Sequence, residues 1–347
     1  MRSFRFMILV MMVFSLGTIH ASSENPEGGE ESVGDMIMHH VLDSHEWHIV
    51  GDLTIPLPIV LYHQGQGLQV FMSSNFHHGT TAYNGYAMGS HEHIVYENPD
   101  GTINEEETAN IIDVSITKNV VTLFMVLGLM LYFFISAARG YVKNEGKAPT
   151  GLQSFFEPVV VFIRDEMARP VIGEKNYERF MPYLLTVFFF IWIGNMLGLV
   201  PFLPGGANLT GNITVALVLA ACSLILILVN GNKHYWQHVF AMPGVPIPVL
   251  FILTPIELIG VFLKPIVLMI RLFANITAGH ITILAFVALI FIMGEISPAA
   301  GWGVSIASVA LSVFMTFLEL IVAFLQAFIF TLLSATYFAA ATEEAHH

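Results

Sequence analysis

The side chains of this sequence that could do chemistry are charged groups inside apolar stretches, and Arg271 is the clearest case. It is the single arginine in residues 180–347 and lies in the apolar run 268–274. A guanidinium stays charged at any accessible pH, so it cannot escape burial by losing its proton. Burying it at a bilayer centre costs roughly 2.5–3.5 kcal/mol on insertion scales. Such a residue indicates a function, or else a structural ion pair with Glu319 or Glu257 of the same chain.

Polar residues recur at helical spacing around Arg271. Glu257 and Lys264 precede it at steps of seven residues, and each step returns to within about 20° of the same helix face. Asn275 extends this stripe by one turn, whereas His280 lies about 180° around the helix and roughly 13 Å further along its axis. Two polar paths offset around a fixed positive charge would pass a proton to a partner without forming an open leak.

The neighbouring apolar runs supply further polar residues. Glu319 and Gln326 are seven residues apart and share a helix face, and Asn195 and Asn212 lie in the two spans of the preceding hairpin. Glu319 is a functional candidate because a carboxyl group in an apolar run must be neutral, paired or hydrated.

Several of these residues also have a structural interpretation. The two asparagines and Gln326 would serve equally well as hydrogen-bonding residues that join membrane helices. Glu257 would be solvated if it lies at the inner interface, and Lys264 would extend its amine to the same interface. His280 would then be a packed neutral ring.

The elements that must position these residues are membrane helices. The chain has 347 residues, of which 55% are hydrophobic and 11% charged, and its mean hydropathy is +0.70. A soluble domain carries about a quarter charged residues, so the composition excludes one and predicts an all-α polytopic membrane protein.

The N-terminal segment has the pattern of a secretory signal. In residues 1–21, Arg2 and Arg5 precede an apolar run that is too short to span a bilayer, and small residues end the segment. An uncleaved first anchor is the alternative. Residues 22–34 are a polar, Gly-rich linker.

Residues 35–112 are predicted to form a small extracytoplasmic module. Residues 22–117 hold fifteen Asp and Glu but no Lys or Arg, and cations mark the side of a membrane protein that stays inside. We predict a short helix at 35–47 and strands at 52–63, 67–72 and 93–96. Ten histidines between positions 20 and 93 raise a metal-binding alternative, although their irregular spacing also suits simple polar residues. No metal or cofactor is predicted.

Residues 113–347 are predicted to form a membrane domain with about five embedded helices and an amphipathic helix on the inner surface. The spans are expected at 119–138, 180–203, 212–230, 249–293 and 302–341, with the surface helix at 151–172. Arg139, Lys143 and Lys147 follow the first span, so that span is expected to end inside, as is the C-terminus.

Two of the apolar segments are too long for an upright span. At 1.5 Å per residue, residues 249–293 give about 65 Å and residues 302–341 about 60 Å, against a hydrocarbon core of about 30 Å. Each is either a hairpin of two spans or one steeply tilted helix. Pro255 and Pro265 would kink the first segment without reversing it, so we predict two tilted helices joined at 294–301.

Three stretches resemble the a subunit of F-type ATP synthases. Lys264–Gly279, with Arg-Leu-Phe-Ala-Asn inside it, is similar to the penultimate helix of that family, and Leu325-Gln-Ala-Phe-Ile-Phe330 is similar to its last helix. Phe162–Pro170 is similar to its inner surface segment. The resemblance covers about residues 115–345. It implies that Arg271 is the essential arginine facing the carboxylates of a rotating c-ring.

The resemblance also implies roles for the other polar residues. Asn275 matches the asparagine one turn beyond the arginine, and Gln326 matches the glutamine that packs opposite it. The remaining matches border two half-channels, an inner one at Glu257 and Lys264 and an outer one at Asn195 and Asn212.

Two positions depart from the pattern of the best-known bacterial members. His280 stands where those members have glutamate, and Glu319 stands where they have histidine, an exchange found in mitochondrial relatives. One acid and one imidazole remain, so a proton relay with exchanged roles is expected. Gly198 replaces an acidic residue of some members, and no relay role transfers to it.

The resemblance implies a non-catalytic proton-channel stator of a rotary ATP synthase in a bacterial inner membrane. Its partners would be the c-ring, peripheral-stalk b subunits and membrane lipid, with no nucleic acid. Sodium stays open as the coupling ion, because the rotor carboxylate on another chain decides ion choice. The alternatives are a secondary ion transporter with an intramembrane charge pair and a membrane anchor for the N-terminal module.

Overall fold

The structure is a computed structural model, and it describes residues 43–50, 53–77, 79–89, 93–200, 207–242 and 245–343. The chain divides into two compact units, one that reaches Val121 and one that begins at Thr122. The predicted signal and linker, residues 1–34, lie outside the described residues.

The first unit is built from short antiparallel strands. β1 (Glu46–Val50) pairs with β2 (Leu53–Pro56), and β3 (Pro58–His63) pairs with β4 (Gly67–Met72). β5 (Tyr86–Met88) pairs with β6 (Ile94–Tyr96). A short helix, α1 (Glu105–Ala109), precedes β7 (Ile111–Asp113), which pairs with the free edge of β3. The central sheet therefore has the order β4-β3-β7.

Alternate side chains of β3 form part of the core of this module. Ile59, Leu61 and His63 alternate along the strand and are fully buried, and they pack with Phe76 and Tyr86. Successive side chains of a strand point to opposite faces, so this alternation places one face of the sheet inward.

The structure corrects part of the strand prediction. The strand at 67–72 is confirmed, but the strand expected at 52–63 is divided in two at Leu57, which lies between two prolines that cannot donate ladder hydrogen bonds. Leu57 N–H instead donates to His45 O at 3.2 Å. The helix predicted at 35–47 is wrong at its described end, because Glu46 begins β1 and pairs with Pro56. Residues 35–42 lie outside the described residues.

The second unit is helical. Its first helix is α2 (Lys118–Lys143), whose first four residues belong to the first unit. It is followed by α3 (Leu152–Phe162), a π-helical turn (Ile163–Ala168) and α4 (Arg169–Ile172). The remaining helices are α5 (Tyr177–Gly198), α6 (Ile213–Asn230), α7 (Lys233–Phe240), α8 (Ile247–Ile296) and α9 (Pro298–Thr342). Five of them, α2, α5, α6, α8 and α9, are long and apolar enough to cross a membrane. The prediction of about five spans is confirmed, whereas α7 was missed.

The two long segments are each one continuous helix. With 50 residues in α8 and 45 in α9, they are about 75 Å and 68 Å long at 1.5 Å per residue. The alternative of two-span hairpins is therefore wrong. The helices meet at Ser297, whose side chain caps α9 by accepting a hydrogen bond from Ala300 N at 3.1 Å. A Cβ at Gly301 would lie 2.9 Å from Gly294 Cα, so glycine permits the close approach at this end.

Aromatic packing joins α5 to its neighbours. Phe188 and Phe189 are fully buried, with ring centroids 5.6 Å from Phe324 of α9 and 5.5 Å from Phe156 of α3, respectively. The predicted surface helix is thus docked on the bundle by its apolar side. Arg164 on its other side forms a two-point ion pair with Asp165, at 2.8 and 2.9 Å.

Candidate functional site

Arg271 lies in the central part of α8 and is exposed on the surface of the helical unit. Val267 and Ile270, on the adjoining turn, are also exposed and are apolar. Among the described residues, no carboxylate lies within ion-pair distance of the guanidinium. The structural ion pair with Glu319 or Glu257 is therefore absent among the described residues. The guanidinium is instead exposed on an apolar surface.

Lys264, Arg271 and Glu257 each lie near a tyrosine. Lys264 Nζ lies 5.7 Å from the ring centroid of Tyr337 in α9, and Arg271 interacts electrostatically with the same tyrosine. Glu257 lies near Tyr235 of α7, where burial raises the tyrosine pKa and the carboxylate charge raises it further. Lys264 therefore lies against Tyr337 of α9, whereas Arg271 is exposed.

Glu319 is buried in α9 with 7% of its surface exposed. Within the described part of the chain, neither carboxyl oxygen has a hydrogen-bond partner. The carboxyl group lies directly against Gly279 of α8, because a Cβ at that glycine would be 2.8 Å from Glu319 Cδ and would overlap Oε1. Most buried polar groups are hydrogen-bonded, and an unsatisfied carboxyl group is costly. Within the segments that the structure describes, Glu319 is therefore positioned by packing and not by hydrogen bonds.

His280 follows Gly279 in α8 and points toward the end of α5. Its Nε2 lies 3.9 Å from the place that a Cβ would take at Gly198, and Ala207 O lies 3.2 Å from the same place. The ring is half-buried, whereas Arg271 is exposed. The two residues therefore differ in their surroundings, and their placement on opposite sides of α8 stays a prediction. One turn of α8 thus brings together Glu319 from α9 and the end of α5.

Asn195 and Asn212 both have local structural partners. Asn195 is buried, donates to Ala323 O in α9 at 3.3 Å and accepts a hydrogen bond from the Thr210 hydroxyl. Asn212 is the N-cap of α6, where its side chain accepts from Thr214 N at 2.9 Å. The helix-joining interpretation fits Asn195, and capping fits Asn212. A position beside a hydrated path stays a prediction for both.

Gln326 and Asn275 differ in exposure. Gln326 is 5% exposed and shares the buried face of α9 with Glu319. The antiparallel pairing of α8 and α9 brings Gln326 to about the level of Arg271, although no hydrogen bond joins the two among the described residues. Asn275 lies exposed one turn beyond Arg271. The predicted polar residues therefore form a surface group around Arg271 and a buried group around Glu319.

Sequence reasoning missed Gly279 and a chain of hydroxyl groups. Tyr183 of α5 and Ser223 of α6 are hydrogen-bonded at 2.7 Å, and Ser223 lies 3.4 Å from Ser334 Oγ of α9. Isolated hydroxyls and glycines in apolar runs leave no periodic signal, because they interrupt hydropathy very little. The position of Gly279 directly before His280 was the available clue.

The metal-binding alternative for the N-terminal histidines finds no geometric support in the described segments. Within them, no group of three or more His, Cys, Asp or Glu side chains is close enough to hold an ion. His63 is instead held by Tyr86 and Glu107, at 3.0 and 2.9 Å.

Comparison with known proteins gives two family matches. A family model for the ATP synthase A chain matches residues 120–339, and a model for a domain of unknown function matches residues 36–114. Similar relatives include ATP synthase subunit a 2 of Chlorobium luteolum, 38% identical with 93% of this chain and 82% of the relative covered. ATP synthase subunit a of Chlorobium phaeobacteroides is 36% identical over 94% and 82%, and that of an Anaeromyxobacter species is 34% identical over 94% and 75%.

The fold and the site define a multi-pass helical membrane protein with an exposed arginine in one candidate span and a buried carboxyl group in another. The family match includes most or all of each candidate span, and the relatives are matched over most of their length. The chain belongs to the ATP synthase A chain family, the a subunits of the F-type ATP synthase membrane sector.

Proposed function

We propose that this protein is the stator channel through which ions reach and leave the c-ring of a rotary ATP synthase. Family membership supports the assembly, and one observation carries the mechanism. That observation is the exposed Arg271, which lies on an apolar surface without an ion-pair partner among the described residues. A partner carboxylate on another chain would satisfy this charge. The subunit itself makes no ATP.

The outer half-channel is assigned to the buried group. A proton from outside enters near Asn195 and Asn212, is held by His280 or Glu319, and passes to a rotor carboxylate that becomes neutral. The shared turn of α8 at Gly279 supports a relay, since it brings Glu319 and His280 to the same level. The exchanged acid and imidazole leave one of each in the path.

The inner half-channel is assigned to the region of Glu257 and Lys264. After nearly a full rotation in lipid, the rotor carboxyl group loses its proton there. Arg271 then holds the carboxylate and blocks direct passage between the two paths. A guanidinium suits this role better than an ammonium, because a buried lysine loses its charge far more easily.

The remaining assignments follow from the same proposal. The acidic module lies outside the cell membrane, the C-terminus lies in the cytoplasm, and peripheral-stalk b subunits and lipid contact the remaining surface. A proton is the proposed coupling ion, and sodium is the alternative.

Arg271→Ala tests the proposal. ATP-driven proton pumping in inverted membrane vesicles is expected to fall to background, because the neutral variant neither holds the rotor carboxylate nor separates the two paths. Arg179→Ala, at an exposed arginine near the start of α5, is the matched control and keeps normal pumping. Undiminished pumping by the assembled Arg271→Ala complex would refute the stator proposal.

A further inference from the structure

We propose that Gly279 is a positioning residue for Glu319, and that its missing side chain creates the space in which the carboxyl group lies. This inference rests on the proposed channel function and adds a residue to it. Gly279 contacts no transported ion itself. It acts through Glu319, by allowing that side chain to reach the turn of α8 that carries His280.

The steric evidence is specific to this pair. A Cβ at position 279 would overlap Glu319 Oε1 and would approach Cδ and Cγ to 2.8 and 3.1 Å. All three contacts are with the same side chain, so a methyl group here meets the carboxyl group of Glu319 before anything else. Either the carboxyl group or the two helices would have to move.

The carboxyl group is the part that would yield. Its two oxygens have no hydrogen bonds within the described part of the chain that would resist a displacement, whereas α8 and α9 are packed along their length. A methyl group at 279 would push the acid away from the turn that holds His280. Since proton transfer depends on hydrogen-bond distances, a shift of about an ångström is enough to slow it.

Other glycines of the two long helices lack this relation. Gly260 in α8 and Gly303 in α9 have no atom within 4 Å of the place a Cβ would take. Gly198 in α5 is not a neutral control, because its Cβ would lie 3.2 Å from Ala207 O and 3.9 Å from His280 Nε2. Gly260→Ala and Gly303→Ala therefore test the general cost of replacing a glycine without touching Glu319.

The decisive experiment pairs Gly279→Ala with a shorter acid at position 319. Gly279→Ala is expected to lower ATP-driven proton pumping about tenfold or more, because the displaced carboxyl group no longer lies at the proton-transfer distance. Glu319→Asp withdraws the carboxyl group by one methylene and also lowers pumping when made alone. The double variant Gly279→Ala with Glu319→Asp is expected to pump several-fold better than Gly279→Ala.

A role in helix packing alone predicts a different pattern. Shortening Glu319 would then leave the defect of Gly279→Ala in place, and a double variant no better than Gly279→Ala overturns the inference. Normal pumping by Gly279→Ala overturns it as well. If Gly279→Ala fails to assemble, restored assembly and pumping in the double variant support the inference, and continued failure contradicts it.

The controls separate this inference from the function on which it rests. Gly303→Ala is expected to pump normally. Arg271→Ala is measured in the same vesicles, and normal pumping there refutes the channel proposal whatever happens at Gly279. Loss of pumping in Arg271→Ala together with normal pumping in Gly279→Ala refutes only the positioning role.

Discussion

His63 of the module and Glu319 of the helical unit are both buried ionisable groups, but they differ in their hydrogen bonding. In the module, His63 is fully buried and both ring nitrogens are engaged, Nδ1 with the Tyr86 hydroxyl and Nε2 with Glu107. In the helical unit, Glu319 is nearly as buried, yet its carboxyl oxygens have no partner among the described residues. A satisfied polar group stabilises a fold, whereas an unsatisfied one imposes a cost that function must explain.

The same contrast holds for cations. Arg164, outside the candidate spans, is paired with Asp165, whose pKa is lowered chiefly by that hydrogen bond. Arg271, inside a span, has no ion pair among the described residues. The ion pair with Asp165 satisfies the charge of Arg164, whereas the charge of Arg271 stays available to a partner chain. The paired and unpaired groups therefore differ in their local interactions, whatever their residue types.

The largest effect that would sharpen this comparison is expected at Glu319. Glu319→Gln keeps the size of the side chain but removes its titratable proton, so pumping is expected to fall about 10²-fold, the scale of a lost acid–base group. The amount of assembled subunit should not change, because the acid has no hydrogen bond to lose among the described residues. Pumping in inverted vesicles and subunit content of purified complexes check both parts. Lost assembly together with lost activity would show that Glu319 is structural.

His63→Ala is expected to lower stability while leaving pumping almost unchanged, the reverse of the result at Glu319. It removes two hydrogen bonds and leaves a cavity beside Tyr86 and Glu107, with a loss of roughly 2–4 kcal/mol of local stability. Hydrogen exchange of the β3 and β4 amides in the whole complex should accelerate, while pumping stays near normal. His93→Ala, at an exposed histidine, is the control. A loss of pumping without faster exchange would mean that the module takes part in ion transfer.

The smallest effect is expected at Asp100, in the turn before α1. The hydroxyl and N–H of Thr102 donate to its carboxylate, at 2.6 and 3.1 Å, and lower its pKa. A lowered pKa stabilises the folded turn above the ordinary carboxyl pKa of about 4, and that contribution disappears as pH falls through the lowered value.

Thr102→Val removes the hydroxyl that makes the larger contribution. Exchange protection of the amides of Asn98 and residues 100–102 should therefore be slightly lower than in the parent at neutral pH, and the difference should vanish in strong acid. A difference that grows as pH falls would show that Asp100 is not the responsible group.

Much of the fold could be predicted from the sequence where the signal is local. The spans and the two continuous long helices follow from runs of apolar residues and from the absence of a reversing turn. The module was harder, because β1, β5 and β7 are short and are defined by distant partners. Ile111, for example, becomes part of a strand through its pairing with His63. No pattern within the three residues of β7 indicates that pairing.

The candidate site divides in the same way. An ionisable residue in an apolar run can be recognised from the linear sequence, and this is how Arg271, Glu319 and His280 were found. The contact of Gly279 with Glu319 and the tie from Asn195 to Ala323 are not visible, because they join residues of different helices. Spacing showed which residues share a face of one helix, and it could not show which residue of the next helix meets that face.

The sequence by itself determined that this protein spans a membrane, that two of its helices are too long to stand upright, and that Arg271 is an exceptional charge. The free energy of transferring a helix into a bilayer is approximately a sum over its own side chains, so the hydropathy of the sequence indicates it directly. The tertiary structure decided that Arg271 faces outward and that Glu319 lies against Gly279 without a hydrogen bond among the described residues. Those outcomes depend on the register between α8 and α9, which close packing of many side chains sets together.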